Sequence, residues 1–297
     1  MYPRAFRYHR ASSLREASVL LSQLGDEAKP LAGGQSLIPL MKLRFASPAH
    51  LVDLNFIPEV SYIKKENGSL RVGPLTRHAE LENSAILSSI PILHDCAAGI
   101  ADVQIRNRGT IGGSVAEADP SGDWATVLMT LPTTVCCVGK NGERTVDLKD
   151  FIRDAYTTAL AHDELISEIN IKIPPPGSGG AYLAFKRAAP VYPTASAAVQ
   201  LTMDGDFCKN IAIALGCVGL VPIRATEAET LLRGQPIIDR TINAAVEAAQ
   251  AAADPQSDMR GSSDYKRALI RALLRRAIFA AVRRARGETV ELNHLYA

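Results

Sequence analysis

The sequence predicts an α+β protein in two parts, and three observations carry that prediction. Two Asn-Gly pairs, Asn67-Gly68 and Asn141-Gly142, each lie between alternating apolar and polar residues, the pattern of antiparallel hairpins. A run of turn formers, PPPGSGG at 174–180, marks the clearest boundary in the chain. Beyond it three strand-like runs give way to helical spacing. A larger first part to about residue 175 and a smaller second part of three strands followed by helices are therefore expected.

Taken in order, residues 11–24 place Leu14, Ala17, Val19, Leu20, Leu21 and Leu24 near helical spacing, with Ser12 or Ser13 suited to the N-cap. The short apolar run AKPLAGG ends in glycine, and Leu37, Leu40, Met41 and Leu43 predict a short helix after it. His50-Leu51-Val52-Asp53-Leu54 reads as a buried strand with Asp53 at its end. After the first hairpin a helix is expected from Thr76, and a second through about Ile100. The turn formers VAEADPSGD at 115–123 precede a buried helix starting at Trp124. The second hairpin puts Cys136 and Cys137 on opposite faces of one strand. LKDFIRDAY follows as a short helix, and ELISEINIKIP as a strand ending at Pro174. The second part offers strands at 181–187, 195–203 and 211–218. Three helical segments follow, and the last has one stripe of Leu269, Leu273, Leu274, Ala277, Ile278 and Ala281. Arg267, Arg271, Arg275 and Arg283 fall largely off that stripe, on a solvated or partner-facing side.

Composition excludes several function classes. The 33 basic and 31 acidic residues leave a net charge of +2, too little for a global field that recruits nucleic acid or anionic membrane. The five cysteines lack C-x2-C spacing, so neither a zinc site nor an iron–sulfur cluster is expected on this chain. The N-terminus MYPRAFRYHR has no apolar signal core, and no apolar run reaches the ~18 residues of a membrane span, so the cytoplasm is the expected compartment.

Two glycine-rich stretches carry the functional signal: Ala32-Gly33-Gly34-Gln35-Ser36 and Gly109-Thr110-Ile111-Gly112-Gly113-Ser114. Paired glycines can adopt positive φ and let consecutive N–H groups converge on an anion such as a pyrophosphate. Either pair alone is commonly a turn or a packing contact. The adjacent glycines are not the G-x-G-x-x-G of a Rossmann unit. Arg106 and Arg108, just ahead of the second stretch, could flank a phosphate.

Catalytic side chains are scarce. No G-x-S-x-G elbow, H-E-x-x-H pair or P-loop occurs, and the six scattered histidines each read as surface or capping residues. Asp119 and Asp123, in a loop with proline and glycine, suit turn capping or hydrogen bonds to ribose hydroxyls better than a magnesium site. What emerges is a dinucleotide cradle whose bound redox cofactor would carry the chemistry.

Over nearly its whole length the chain resembles the flavin-binding medium subunit of the molybdenum hydroxylases, the xanthine dehydrogenase and aerobic carbon monoxide dehydrogenase group. The resemblance rests on F-x-Y-H-R-A-S-S-L-x-E-A, A-G-G-Q-S-L-I-P-L-M-K-L-R, Q-I-R-N-R-G-T-I-G-G-S, the Asp119-Pro120 to Asp123 loop, and D-Y-K-R-A-L-I-R-A-L-L-R-R-A. It implies a two-subdomain flavin-binding fold over 1–175 (about 1–56 and 57–175), a C-terminal α+β domain at 176–287 and a tail at 288–297. It also implies non-covalent FAD, with Ala32, Gly33, Gly34, Gln35 and Ser36 on one side of the pyrophosphate and Thr110, Ile111, Gly112, Gly113 and Ser114 on the other. Ile100 would line the cofactor channel, Asp123 contact the polar part and Leu165 give backbone contacts beside the flavin. Lys186 would reach it from the second domain, and Tyr192 take the place of an aromatic ring over the isoalloxazine.

The implied role is electron transfer from the 2Fe-2S clusters of a small subunit through FAD to an external acceptor. A large molybdenum-cofactor subunit would hydroxylate the substrate, in a dimer of heterotrimers. The alternatives are a stand-alone FAD oxidase or dehydrogenase, and a non-catalytic nucleotide-binding module using the basic helix at 264–286. Two positions depart from the family pattern. Ser114 stands where asparagine is usual, and Ala188-Ala189-Pro190-Val191-Tyr192-Pro193 replaces the common Gly-Asp-Tyr segment.

Overall fold

The computed structural model describes residues 2–292 and 295–296. Strand β1 (Arg7–Arg10), helix α1 (Leu14–Leu24), strand β2 (Ala28–Leu31), helix α2 (Leu37–Leu43) and strand β3 (His50–Asp53) alternate to give a parallel sheet of order β1-β3-β2. The central strand β3 is buried as its apolar run requires. β1, absent from the sequence expectation, is a mostly exposed edge strand; Arg7-Tyr8-His9-Arg10 has no apolar alternation, and only its pairing with β3 makes it a strand. Ser13 caps α1 by accepting the Glu16 N–H at 3.1 Å.

A second, antiparallel sheet takes β4 (Ile63–Glu66) and β5 (Ser69–Val72) from the first hairpin, whose turn residues Asn67 and Gly68 have φ of 50° and 71°. Short helices follow: α3 (His78–Glu82), α4 (Pro91–Gly99), α5 (Val103–Arg106), α6 (Ile111–Glu117) and α7 (Asp123–Leu128). The chain returns with β6 (Thr133–Gly139), β7 (Gly142–Asp147), helix α8 (Leu148–Phe151), the small hairpin of β8 (Ile152–Asp154) and β9 (Thr157–Thr158), and β10 (Leu165–Lys172). The sheet order is β4-β5-β10-β6-β7. The β6–β7 turn lies one residue earlier than expected, because Gly139 pairs with Gly142.

The third sheet holds the three expected strands, β11 (Ser178–Lys186), β12 (Ala195–Asp204) and β13 (Phe207–Gly216), at its centre. Its order is β14-β13-β12-β11-β15, with two short edge strands added: β14 (Ile223–Arg224) and β15 (Leu295–Tyr296). Within the segment expected as a tail at 288–297, Leu295 and Tyr296 pair parallel to β11, and Val290 and Leu292 pack on the second core. Helices α9 (Thr226–Leu232), α10 (Asp239–Ala252) and α11 (Ser263–Ala285) close this part.

Both faces of the third sheet are buried, which explains why its strands read as continuous apolar runs. Ala181 and Leu183 of β11 join the core under the C-terminal helices, whereas Tyr182 and Ala184 join the core of the preceding part. Side chains alternate along a strand, so Lys186 follows Tyr182 and Ala184 onto the inner face. Gly179 makes close helix packing possible, since a Cβ there would lie 2.0 Å from the Ala281 carbonyl oxygen of α11. Arg284 of α11 locks the arrangement: its guanidinium reaches both carboxylate oxygens of Asp95 on α4 (2.5 and 2.9 Å) and the carbonyls of Gly180 and Val290. The Arg284 side chain is almost wholly covered, in contrast to those of Arg267, Arg275 and Arg283 on the same helix.

Candidate functional site

A cleft of about 550 Å³ runs where the three sheets meet, within the ~300–1,000 Å³ usual for cofactor sites. It collects fourteen of the fifteen residues singled out in the sequence: Ala32, Gly33, Gly34, Gln35, Ser36, Ile100, Thr110, Gly112, Gly113, Ser114, Asp123, Leu165, Lys186 and Tyr192. Ile111 is the exception. Its side chain is fully buried in the core of the second sheet and does not line the cleft.

The two glycine stretches touch backbone to backbone. A Cβ on Gly33 would lie 2.4 Å from the Arg108 carbonyl oxygen and 2.8 Å from Gly109 Cα, so only glycine fits. Their backbone N–H groups are used differently. In the first stretch, between β2 and α2, Gly34 has φ of 75° and the N–H groups of Gly33, Gly34, Gln35 and Ser36 have no acceptor among the described residues. Asn55 holds this loop by donating from Nδ2 to the Ala32 carbonyl at 2.9 Å, and Asp53 in turn accepts from Asn55.

In the second stretch the N–H groups are already bonded. Ile111 N–H donates to the Thr76 carbonyl (3.1 Å), Gly112 to that of Pro74 (2.9 Å), Gly113 to Thr110 Oγ1 (3.1 Å) and Ser114 to the Thr110 carbonyl (3.0 Å). Neither Gly112 nor Gly113 has the positive φ anticipated for a glycine loop, because both lie in the first turn of α6. Gly112 is required for packing, with a Cβ 2.6 Å from the Pro74 carbonyl oxygen. Thr110 and Ser114 of this stretch line the cleft, with the Thr110 hydroxyl also capping α6.

The inner wall comes from β11 and α7. Asp123 is buried; its Oδ1 accepts the Tyr182 hydroxyl at 2.7 Å and lies 4.0 Å from Lys186 Nζ. Lys186, also buried, donates to the Gly99 carbonyl. A buried ammonium with a carboxylate and a carbonyl as partners keeps its charge balanced. At the mouth, burial and the neighbouring acids push the Tyr192 phenol up. The Arg260 guanidinium lies 5.7 Å from its ring centroid and donates to Ser121 Oγ at 2.6 Å.

Several lining residues were not legible in the sequence. Glu117 is held above the usual carboxylate range by burial and by Asp119. Leu160, Ala161 and His162 line the far end. His78, expected as surface or capping, is buried in the cleft wall. None has a spacing signature, because each reaches the cleft through long-range packing. Arg106 is turned away from the cleft into an ion pair with Glu82 at 2.7 Å, and Arg108 contributes its backbone.

The fit to a dinucleotide is a matter of donor chemistry. Four consecutive N–H groups without an acceptor among the described residues, beside a backbone approach that a Cβ would fill, are the donor set that suits an anion such as a pyrophosphate. Residues 4–176 match the model of the FAD binding domain in molybdopterin dehydrogenase, and residues 180–281 that of the CO dehydrogenase flavoprotein C-terminal domain. The chain belongs to the FAD-binding medium subunits of the molybdenum hydroxylases.

Among members of this family, the carbon monoxide dehydrogenase medium chain of Afipia carboxidovorans is 40% identical over 97% of this chain and 100% of its own length. The 6-hydroxypseudooxynicotine dehydrogenase complex subunit alpha of Paenarthrobacter nicotinovorans is 38% identical over 99% and 100% of the two chains. A chain of reconstituted CO dehydrogenase from Oligotropha carboxidovorans superposes with a TM-score of 0.93 at 40% identity, covering 96% of this chain and 100% of that one. FAD is the cofactor of this subunit type. Among the described residues no helix is long and apolar enough to cross a membrane, and no three or more His, Cys, Asp or Glu side chains gather as a metal site.

Proposed function

We propose that this chain is the electron-transfer subunit of a molybdenum hydroxylase complex, taking electrons from the 2Fe-2S clusters of a small subunit and passing them through FAD to an external acceptor. Bound FAD supplies the exchange between one-electron and two-electron carriers. The observation that carries the reading is the cleft itself: four consecutive N–H groups without an acceptor among the described residues, in a cleft that Thr110 and Ser114 also line.

The chain's own residues bind and orient. Gly33 to Ser36 hold the pyrophosphate through their N–H groups, and Thr110 and Ser114 through their hydroxyls. Ser114 is shorter than the asparagine usual in the family, so its hold is weaker. The Ile111 side chain anchors α6 from the core. Ile100, Leu165 and Tyr192 give apolar and aromatic walls that exclude water, while Lys186 and Asp123 place a balanced charge pair at the inner wall. The two family models meet between residues 176 and 180, which supports dividing the chain at about 175. A large molybdenum-containing subunit and a small iron–sulfur subunit complete the assembly as a dimer of heterotrimers in the cytoplasm, and recognition of the hydroxylated substrate lies on the large subunit.

Purification from the native source with an absorption spectrum and metal analysis tests this reading. The expected result is a yellow protein with two companion chains, one carrying molybdenum and one iron–sulfur clusters. A lone yellow chain that oxidises a substrate by itself would overturn it in favour of a stand-alone flavoenzyme.

A further inference from the structure

His78 stands apart from the other histidines among the described residues. It is 5% exposed, opens α3, and donates its backbone N–H to the Gly109 carbonyl at 3.1 Å, at the head of the second glycine stretch. Its ring is held from behind. Trp124 of α7, itself 1% exposed and outside the cleft lining, donates Nε1–H to His78 Nδ1 at 3.1 Å.

An indole nitrogen can only donate, so His78 Nδ1 must be the bare, accepting nitrogen and Nε2 must carry the proton. The Cδ2–Nε2 edge of the ring lies against Gly109, where a Cβ would be 2.8 Å from both atoms. Only glycine fits at that position. Nε2 has no hydrogen-bond partner among the described residues, and the residue lines the cleft. With its tautomer fixed, no protein acceptor, and a place outside the set of side-chain atoms buried without a partner, Nε2–H on this cleft-lining residue is open to an acceptor from a ligand.

We propose that His78 is a cofactor-binding residue that donates its Nε2–H to an oxygen or nitrogen acceptor of bound FAD, with Trp124 as the positioning residue that fixes the donating tautomer. The inference rests on the cleft being the FAD site. The surroundings keep the ring in that form: burial, then the charges of Arg77 beside it and Arg106 on α5, push the His78 imidazole down to about 3. It therefore stays a neutral donor across the range in which an ordinary histidine, at about 6.5, would change charge.

The test uses the full chain, stripped of flavin and titrated with FAD. In His78→Asn the amide oxygen can still accept from Trp124, but nothing replaces Nε2–H; in His78→Gln the amide can place an N–H near the Nε2 position. The Asn variant is expected to bind FAD roughly five- to tenfold more weakly with the melting temperature of the flavin-free protein little changed, as for loss of one neutral hydrogen bond. The Gln variant should recover to within about threefold of the parent. Where the acceptor is on the flavin ring, the visible spectrum of bound FAD shifts in the Asn variant; where it is a phosphate oxygen, affinity for ADP falls by the same factor as for FAD.

Nitrogen-15 spectra of the ring give a readout independent of folding. Nδ1 is expected bare and Nε2 protonated from pH 5 to 9 (about one and a half to two and a half units either side of 6.5), and the Nε2–H resonance should move on adding FAD. Unchanged FAD affinity in the Asn variant, or an Nε2–H signal indifferent to FAD, overturns the inference while leaving FAD binding by the parent chain intact. Failure of the parent to bind FAD would instead overturn the functional reading on which it rests.

Discussion

The two glycine stretches look alike in the sequence and do opposite work in the fold. Residues 32–36 connect a strand to a helix, have a left-handed Gly34, and keep four consecutive N–H groups unpaired. Residues 109–114 lead into α6 with every N–H from Ile111 to Ser114 bonded inside the protein, and Gly109 and Gly112 are there because His78 and Pro74 come too close for a Cβ. A glycine pair thus says that something comes near the backbone. It does not say whether that neighbour is a ligand or the protein itself, and only the fate of the N–H groups separates the two cases.

Substitutions can break this contrast. The largest effect on flavin is expected from Gly33→Val, whose side chain would overlap the Arg108 carbonyl and separate the two stretches. FAD retention on purification should be abolished, read as loss of the flavin absorption band. Gly112→Val should instead act on the fold, because the overlap is with Pro74 inside the second sheet's helical layer. A loss of roughly 3 kcal/mol or more in the stability of the flavin-free protein, measured by denaturant unfolding, is expected.

Acid titration sharpens the structural role of the second stretch. The His78 imidazole sits at about 3 in the folded protein because of burial, with 6.5 as its ordinary value. Its folded value is depressed, so the unfolded chain binds the proton first and stability is lost as pH falls. The contribution is complete above about pH 6.5 and declines through the window down to about pH 3. Unfolding free energies measured at pH 7 and pH 4.5 should differ by up to about 2–3 kcal/mol from this group, and His78→Asn should reduce that difference.

Smaller effects separate side chains from backbone. Ser114→Ala removes one of the two hydroxyls by which the second stretch reaches the cleft, and a roughly threefold to tenfold weaker FAD dissociation constant is expected, with unchanged stability. Gln35→Ala should change affinity by less than about twofold, since Gln35 is exposed and its contribution is its N–H.

The fold was legible wherever local chemistry and periodicity agreed. Asn67-Gly68 turned where expected, the apolar stripe of α11 lies in the second core, and Trp124 is buried at the start of α7. β1, β14 and β15 were not legible, because edge strands owe their conformation to a neighbour and not to their own pattern. The same divide runs through the site. Its glycines could be found by motif and Lys186 only through the family resemblance, and the motif did not show that the Ile111 side chain turns into the core. His78 and Arg284 were missed because their meaning depends on Trp124 and Asp95, 46 and 189 residues away.

Amide hydrogen exchange with and without FAD tests the division of labour between the stretches most directly. The N–H groups of Gly33, Gly34, Gln35 and Ser36 should exchange quickly in the flavin-free protein and become protected when FAD is added, whereas those of Ile111, Gly112 and Ser114 should be protected in both states. Protection of the second stretch that appears only with FAD, or a first stretch already protected without it, would contradict this account.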